Sequence, residues 1–318
     1  MFKNILLLTL AASVAACSLA GCGNNAQKTA SNDSKVVICT TFAAYDWAKN
    51  IAKGAGGIDI QYLVDSKVDL HSYQPTVADI VKYQEADLTI CIGGESEEWV
   101  KSVGIEDGKL LSLMDCVEAR EEELAPGMQG EEDEEEAKEE GPEYDEHIWL
   151  SLKNAEACVS AIKGELCKVS PENSSVFEEN AAEYISKLSA LDAKYEDVVN
   201  SSLRKELLFG DRFPFRYMVD DYGLKYYAAF MGCSAETEAS FETIAFLAGK
   251  VDELSLPYVC VIGPDHSIAN AIIRATGSKD QGILTFDSMQ SISNKEANSC
   301  SYMDIMESNL GVLKAALN

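Results

Sequence analysis

The stretch SSVFEENAAEYISKLSALDAKYEDVVNSS, residues 174–202, decides the architecture. Within it Phe177, Ala181, Tyr184, Leu188, Leu191, Tyr195 and Val198 recur at alternating steps of four and three, the spacing of one helix face. A helix of roughly 25 residues rises roughly 40 Å at 1.5 Å per residue, enough to cross a whole lobe. On either side the pattern changes to short apolar runs alternating with helical ones. Before it come VVICTTF, AAYDWAKNIAKG, IDIQYLV, TVADIVKYQEA and DLTICIGG, read as strand, helix, strand, helix and strand. After it come ELLFG, FRYMVDDYG, LKYYAAF, FETIAFLAGKVDEL, PYVCVIG, SIANAIIRATG, GILTFD and a closing helix CSYMDIMESNLGVLKAAL. Alternation of this kind builds parallel sheets faced by helices. The expected fold is therefore α/β, with two parallel-sheet lobes, 35–172 and 203–318, joined by one long backbone helix over 173–202.

The amino terminus has a different character. MFKNILLLTLAASVAACSLAGC places Lys3 ahead of an apolar run and small residues before Cys22, the layout of a secretory signal over 1–21. Leu19, Ala20, Gly21 and Cys22 resemble a bacterial lipobox, in which the cysteine becomes a lipid-modified amino terminus. Residues 23–34 are polar and without apolar period, as a flexible tether would be. No other stretch approaches the ~20 apolar residues that a spanning helix needs. The expected location is therefore extracytoplasmic, anchored by lipid to a bacterial cell membrane.

About 285 residues remain, enough for two lobes with their own apolar interiors, and 47% of the chain is hydrophobic. The formal net charge of −27 argues against nucleic acid, because phosphate binding needs a basic patch. Fifteen carboxylates crowd into residues 118–146 against Arg120 and Lys138, so a mobile acidic loop is expected there. Ten cysteines occur with no CxxC pair, and Cys39, Cys91 and Cys260 sit in apolar runs where a buried free thiol is the plain reading.

In open parallel sheets ligands collect beyond the carboxyl ends of the strands. His71 lies there, in VDLHSYQPT before the helix that Pro75 opens. Asp211 and Arg212 follow ELLFG, His266 follows VCVIGP, and Asp287 follows ILTF. His147 stands beside Trp149 at the far end of the acidic run. Two histidines and a carboxylate converging in a cleft form a Zn²⁺ site, with Mn²⁺ also possible when more oxygens join.

Taken in order, these words resemble the cluster A-I solute-binding proteins of zinc and manganese ABC importers, the ZnuA-like and TroA-like family. DLHSYQPTVADI is similar to its His-x-[Tyr/Phe]-x-Pro-[Ser/Thr] element, and ADLTICIGGESEEWV to the segment ending Gly-x-x-x-Glu-x-Trp. DEHIWLSLKNA resembles Asp-Pro-His-x-Trp-Leu-x-Pro, AETEAS the Pro-Glu-x-Glu-Pro-Ser piece, and TFDSM a carboxylate turn near the end. The resemblance implies a metal cleft between the lobes, with His71 and His147 as ligands from the first lobe and Asp287 from the second. It also implies an ABC permease as partner, zinc or manganese as cargo, and a monomeric receptor. The family's remaining ligand falls on Arg212, whose guanidinium has no lone pair to give a metal. Arg212 is then expected to pair with Asp287, Asp211 or a loop carboxylate, leaving Asp211 or His266 to complete the site.

Two other function classes stand beside the receptor. A metallohydrolase would need a nucleophile or metal signature, and neither Gly-x-Ser-x-Gly nor His-Glu-x-x-His occurs. An adhesin-like surface protein with a structural metal is the remaining alternative.

Overall fold

The computed structural model describes residues 34–64, 68–106, 108–130, 143–234 and 238–318. The signal, Cys22 and nearly all of the tether lie outside the described residues, as does the centre of the acidic segment. Strands β1 (Lys35–Cys39), β2 (Ile58–Tyr62), β3 (Leu88–Cys91) and β4 (Leu110–Ser112) form one sheet in the order β2-β1-β3-β4. Strands β5 (Glu206–Phe213), β6 (Lys225–Met231), β7 (Tyr258–Val261) and β8 (Gly282–Thr285) form another in the order β6-β5-β7-β8. Every strand pair is parallel. The two-lobe α/β fold expected from the sequence is the fold observed. Each chain half starts on an inner strand, moves outward and then returns past it, so each sheet has a switch point between its two inner strands. Val37, Ile38 and Cys39 are fully buried because helices cover both faces of the sheet.

Helix α1 (Phe42–Ile51) follows β1, α2 (Val77–Glu85) precedes β3 and short α3 (Glu98–Ser102) follows it. Pro75 lies two residues before α2, whose start is set instead by Thr76 and Asp79 in a reciprocal capping box. Helix α4 (Leu152–Val169) leads into the long α5 (Ser174–Ser201), 28 residues with Phe177, Ala181, Tyr184, Leu188, Leu191, Tyr195 and Val199 buried. The last buried position is Val199 rather than Val198, because 3.6 residues per turn drifts away from a strict three-four repeat over about six turns. The second sheet carries α6 (Arg216–Tyr222), α7 (Phe241–Leu254) and α8 (Ser267–Ala275).

The closing helix α9 (Tyr302–Ala316) packs on α1 and α5 as well as on β8. The Tyr184 hydroxyl donates to Asp46 of α1 at 2.9 Å, and the Tyr195 hydroxyl donates to the Met306 carbonyl of α9 at 2.7 Å. A single apolar cluster therefore runs from Trp47 and Trp149 through α5 to Phe209, Phe215 and Phe286. Helix α5 packs on α1 and α4 of the first lobe and on α6 and α9 of the second, so it links the helices of both lobes. Among the described residues no helix is long and apolar enough to cross a membrane, and all eight described cysteines are free.

The roots of the acidic segment are ordered, against the expectation of a loop that would not pack. Glu121 pairs with Tyr144 as an antiparallel bridge, the Asp145 N–H donates to the Arg120 carbonyl at 2.8 Å, and Ala125 is buried. Arg216 of α6 takes the carboxylate of Glu123, and the Tyr217 hydroxyl donates to the Asp145 carbonyl at 2.7 Å. Cations and hydroxyls from the second lobe offset the repulsion that composition alone implied.

Candidate metal centre

Between β2 and α2 the chain makes one 3₁₀ turn, Leu70–Ser72. Asp69 caps it by accepting the His71 N–H at 3.1 Å, and buried Leu70 donates its N–H to the Gln290 carbonyl of the second lobe at 3.1 Å. His71 is thereby fixed with its Nδ1 3.1 Å from Oε1 of Glu146. His147 precedes a second 3₁₀ turn, Ile148–Leu150, and is 0% exposed. Oδ1 of Asp145 lies 2.8 Å from both the backbone nitrogen and Nδ1 of His147. The Trp149 ring lies 5.2 Å from the imidazole, and its indole N–H donates to the Ser288 carbonyl at 2.9 Å. Glu146 tucks under Gly94, where any Cβ would stand 2.0 Å from Oε2 of Glu146.

These contacts set the imidazole tautomers. Each Nδ1 faces a carboxylate and so carries the proton, which leaves each Nε2 with its lone pair. The two Nε2 atoms are 3.2 Å apart, and the amide nitrogen of Gln290 lies 2.9 Å from each. An NH₂ group has two donors, one for each lone pair. Among the described residues Oε1 of Gln290 has no hydrogen-bond partner, although the residue is only 6% exposed. With Zn–N bonds of about 2.0–2.1 Å, tetrahedral ligands sit about 3.3 Å apart. The separation of the two imidazoles suits one shared cation.

The electrostatics are those of a cation site. Burial opposes ionisation of Glu146, but the bonded His71 and nearby His147 outweigh it and hold its carboxyl below the usual range. Burial likewise opposes protonation of His147, and the Asp145, Glu146 and Glu122 carboxylates outweigh it, raising the imidazole above its ordinary value. Buried carboxylates thus surround the imidazoles with negative field.

The structure brings His71 and His147 together, and leaves the other sequence-chosen residues outside their contact. Asp287 is exposed, and its Oδ1 accepts the Met289 N–H at 2.8 Å, closing the turn that presents Gln290. Asp211 accepts the Arg212 N–H at 2.8 Å and the Ile262 N–H at 3.0 Å, tying the ends of β5 and β7 together. Burial raises its carboxyl, with those two bonds opposing. His266 is half-buried at the start of α8 and belongs to no ligand cluster among the described residues. Arg212 pairs with Asp69 at 2.6 Å rather than with Asp287, Asp211 or the acidic segment. Beside it opens a cavity of about 450 Å³ lined by Asp69, His71, Asp211, Arg212 and Cys233.

Sequence reasoning missed Gln290 and the pair Asp145 and Glu146. Gln290 lies three residues past Asp287 in the same TFDSMQ stretch, so the turn was marked and the residue was not. Asp145 and Glu146 were absorbed into the acidic run, although their adjacency to His147 was a signal that they orient it.

The family model of ZnuA, described as the periplasmic component A of a zinc-uptake complex, matches residues 37–316. The chain belongs to the ZnuA family. It is 30% identical over 322 residues to the zinc-binding lipoprotein AdcA of Streptococcus pneumoniae, covering 98% of this chain and 60% of AdcA. It therefore spans about three fifths of that relative's length. It is 30% identical over 319 residues to the high-affinity zinc uptake system protein ZnuA of Bacillus subtilis, covering 96% of each. Among solved structures, the metal-dependent lipoprotein YcdH of B. subtilis superposes with a TM-score of 0.71 at 26% identity, covering 89% of this chain and 99% of the other. The Zn(II)-bound ZnuA-like domain of S. pneumoniae AdcA superposes with a TM-score of 0.69 at 24% identity, with the same coverage.

Proposed function

We propose that the chain is an extracytoplasmic receptor that captures a divalent transition metal, zinc, in the cleft between its lobes and passes it to an ABC permease. It is held at the membrane through lipid on Cys22. The observation that carries this reading is the pair of Nε2 lone pairs 3.2 Å apart, each imidazole oriented through Nδ1 by a buried carboxylate. Two imidazoles favour Zn²⁺ over Mn²⁺, which prefers a fuller set of oxygen ligands. Family membership supports the import role, and the names of the relatives as lipoproteins support the anchor.

Competition titration with a zinc chelator tests the site. His71→Ala and His147→Ala should each weaken Zn²⁺ binding at least about tenfold, about 1.4 kcal/mol. Unchanged affinity in both variants overturns the receptor reading. Fatty-acid labelling of wild type and Cys22→Ala tests the anchor, and equal labelling of the two overturns that part. Deletion of the gene should produce a growth defect relieved by added zinc; normal growth under zinc limitation counts against the import role.

A further inference from the structure

The Gln290 amide and the two imidazole Nε2 atoms converge on one point, and the second lobe offers one more side chain there. Cys233 follows Gly232 in the turn after β6, where Gly232 packs so closely that a Cβ would lie 2.9 Å from Cε1 of His147. One ligand atom each from His71, His147 and Cys233 lies within 4.8 Å of the others. Cys233 also lines the cavity of about 450 Å³ that reaches His71, so an ion arriving through that cavity meets both. The unpartnered, buried Oε1 of Gln290 is an independent sign that the cluster awaits a Lewis acid: rotating the amide by half a turn aims that oxygen at the two imidazoles.

Building on the receptor reading above, we propose that Cys233 supplies the second lobe's ligand in place of the position occupied by Arg212. The cleft then binds its cation through two imidazoles, one thiolate and the Gln290 amide oxygen. Tetrahedral Zn²⁺ with Zn–S of about 2.3 Å places sulfur about 3.6 Å from each nitrogen, so the thiol has at most about 1 Å to travel. Metal entry forms the metal–sulfur bond and breaks the S–H bond, and the proton leaves to water through the cavity. A thiolate favours soft and borderline cations such as Zn²⁺ and Cd²⁺, and disfavours Mn²⁺. Arg212 cannot reach over to interfere, because Asp69 holds it. The ligand then comes from the end of β6 rather than from Arg212 on the neighbouring β5.

Co²⁺ titration of the purified full-length protein tests this. Wild type should show a thiolate-to-cobalt charge-transfer band in the near ultraviolet, absent in Cys233→Ser and retained in Cys116→Ser. The preference for Cd²⁺ over Mn²⁺ should fall at least tenfold in Cys233→Ser. Wild-type protein that binds Co²⁺ and Zn²⁺ without the sulfur band overturns the assignment of Cys233 while leaving the receptor reading intact, and this needs no variant to fold. Persistence of the band in Cys233→Ser also overturns it. Failure of wild type to bind either ion overturns the receptor reading itself.

Discussion

Arg212 and Asp69 form an ion pair beside the cleft that, together with the Leu70–Gln290 backbone bond, lets the second lobe hold the turn carrying His71 from the first. The guanidinium Nη2 lies 2.6 Å from Oδ2 of Asp69, with the two side chains 21% and 24% exposed. Oδ1 of the same carboxylate caps the His71 N–H. Burial opposes ionisation of Asp69, but the bonded Arg212 outweighs it and holds the carboxyl below its usual range. A buried hydrogen bond to a charged group contributes about 1.5–3 kcal/mol and an exposed pair about 0.2–1. At this partial burial a coupling of about 1–2 kcal/mol is expected. Urea unfolding of wild type, Arg212→Gln, Asp69→Asn and the double variant measures it directly. Single-variant losses that add to the double within about 0.5 kcal/mol refute the coupling. Metal affinity should split by sign. Arg212→Gln leaves a carboxylate unpaired beside the cavity and should tighten Zn²⁺, while Asp69→Asn leaves a guanidinium unpaired there and should weaken it, each by roughly threefold to tenfold. Shifts of the same sign in both variants would sink the electrostatic account.

Three further outcomes are expected. Burial pushes the Glu97 carboxyl up to about 7 from an ordinary 4.5, with the hydrogen bonds it receives opposing. The folded chain therefore binds more protons than the unfolded one between those values, and stability falls as pH rises through that window by an upper limit on the order of 3 kcal/mol. Glu97→Gln keeps an oxygen for the Ile92 and Gly93 N–H groups and should flatten this slope in unfolding midpoints measured from pH 5 to 8; an unchanged slope contradicts it. Gly232→Ala puts a methyl 3.0 Å from the immovable Phe213 carbonyl and 2.9 Å from His147, so Zn²⁺ affinity should drop at least about tenfold, and equal affinity would show that the ring has room to yield. Gln290→Glu should tighten Zn²⁺ by placing a charged oxygen between the imidazoles, whereas Gln290→Leu should cost the metal-free protein about 1–3 kcal/mol by stranding two buried lone pairs; matching stabilities of wild type and Gln290→Leu would be evidence against the amide bridge.

The fold was legible because its signals are local. Buried parallel strands read as largely apolar runs such as VVIC, LTIC and YVCV, and α5 announces itself by about six turns of apolar spacing. The site was legible only where chemistry coincides with a local landmark. His71 stands out at a strand end and His147 beside its tryptophan, so both were singled out, and the structure sets them 3.2 Å apart. The rest is decided by partners remote in sequence. Arg212 meets Asp69 across 143 positions, and Gln290 meets the imidazoles across 219 and 143. No periodicity reports such pairings, and composition misreports them: in the run that ends at His147, carboxylates that face solvent and carboxylates that hold an imidazole are the same letters. Asp145 and Glu146 differ from the acidic run only in what the fold lays against them, Tyr217 and Gly94 respectively. The same argument explains why Arg212 misled. Its position implied a ligand, so its partner was sought among groups near the metal. The guanidinium instead spends its charge on the carboxylate that caps the His71 turn, shaping the site from one residue further out.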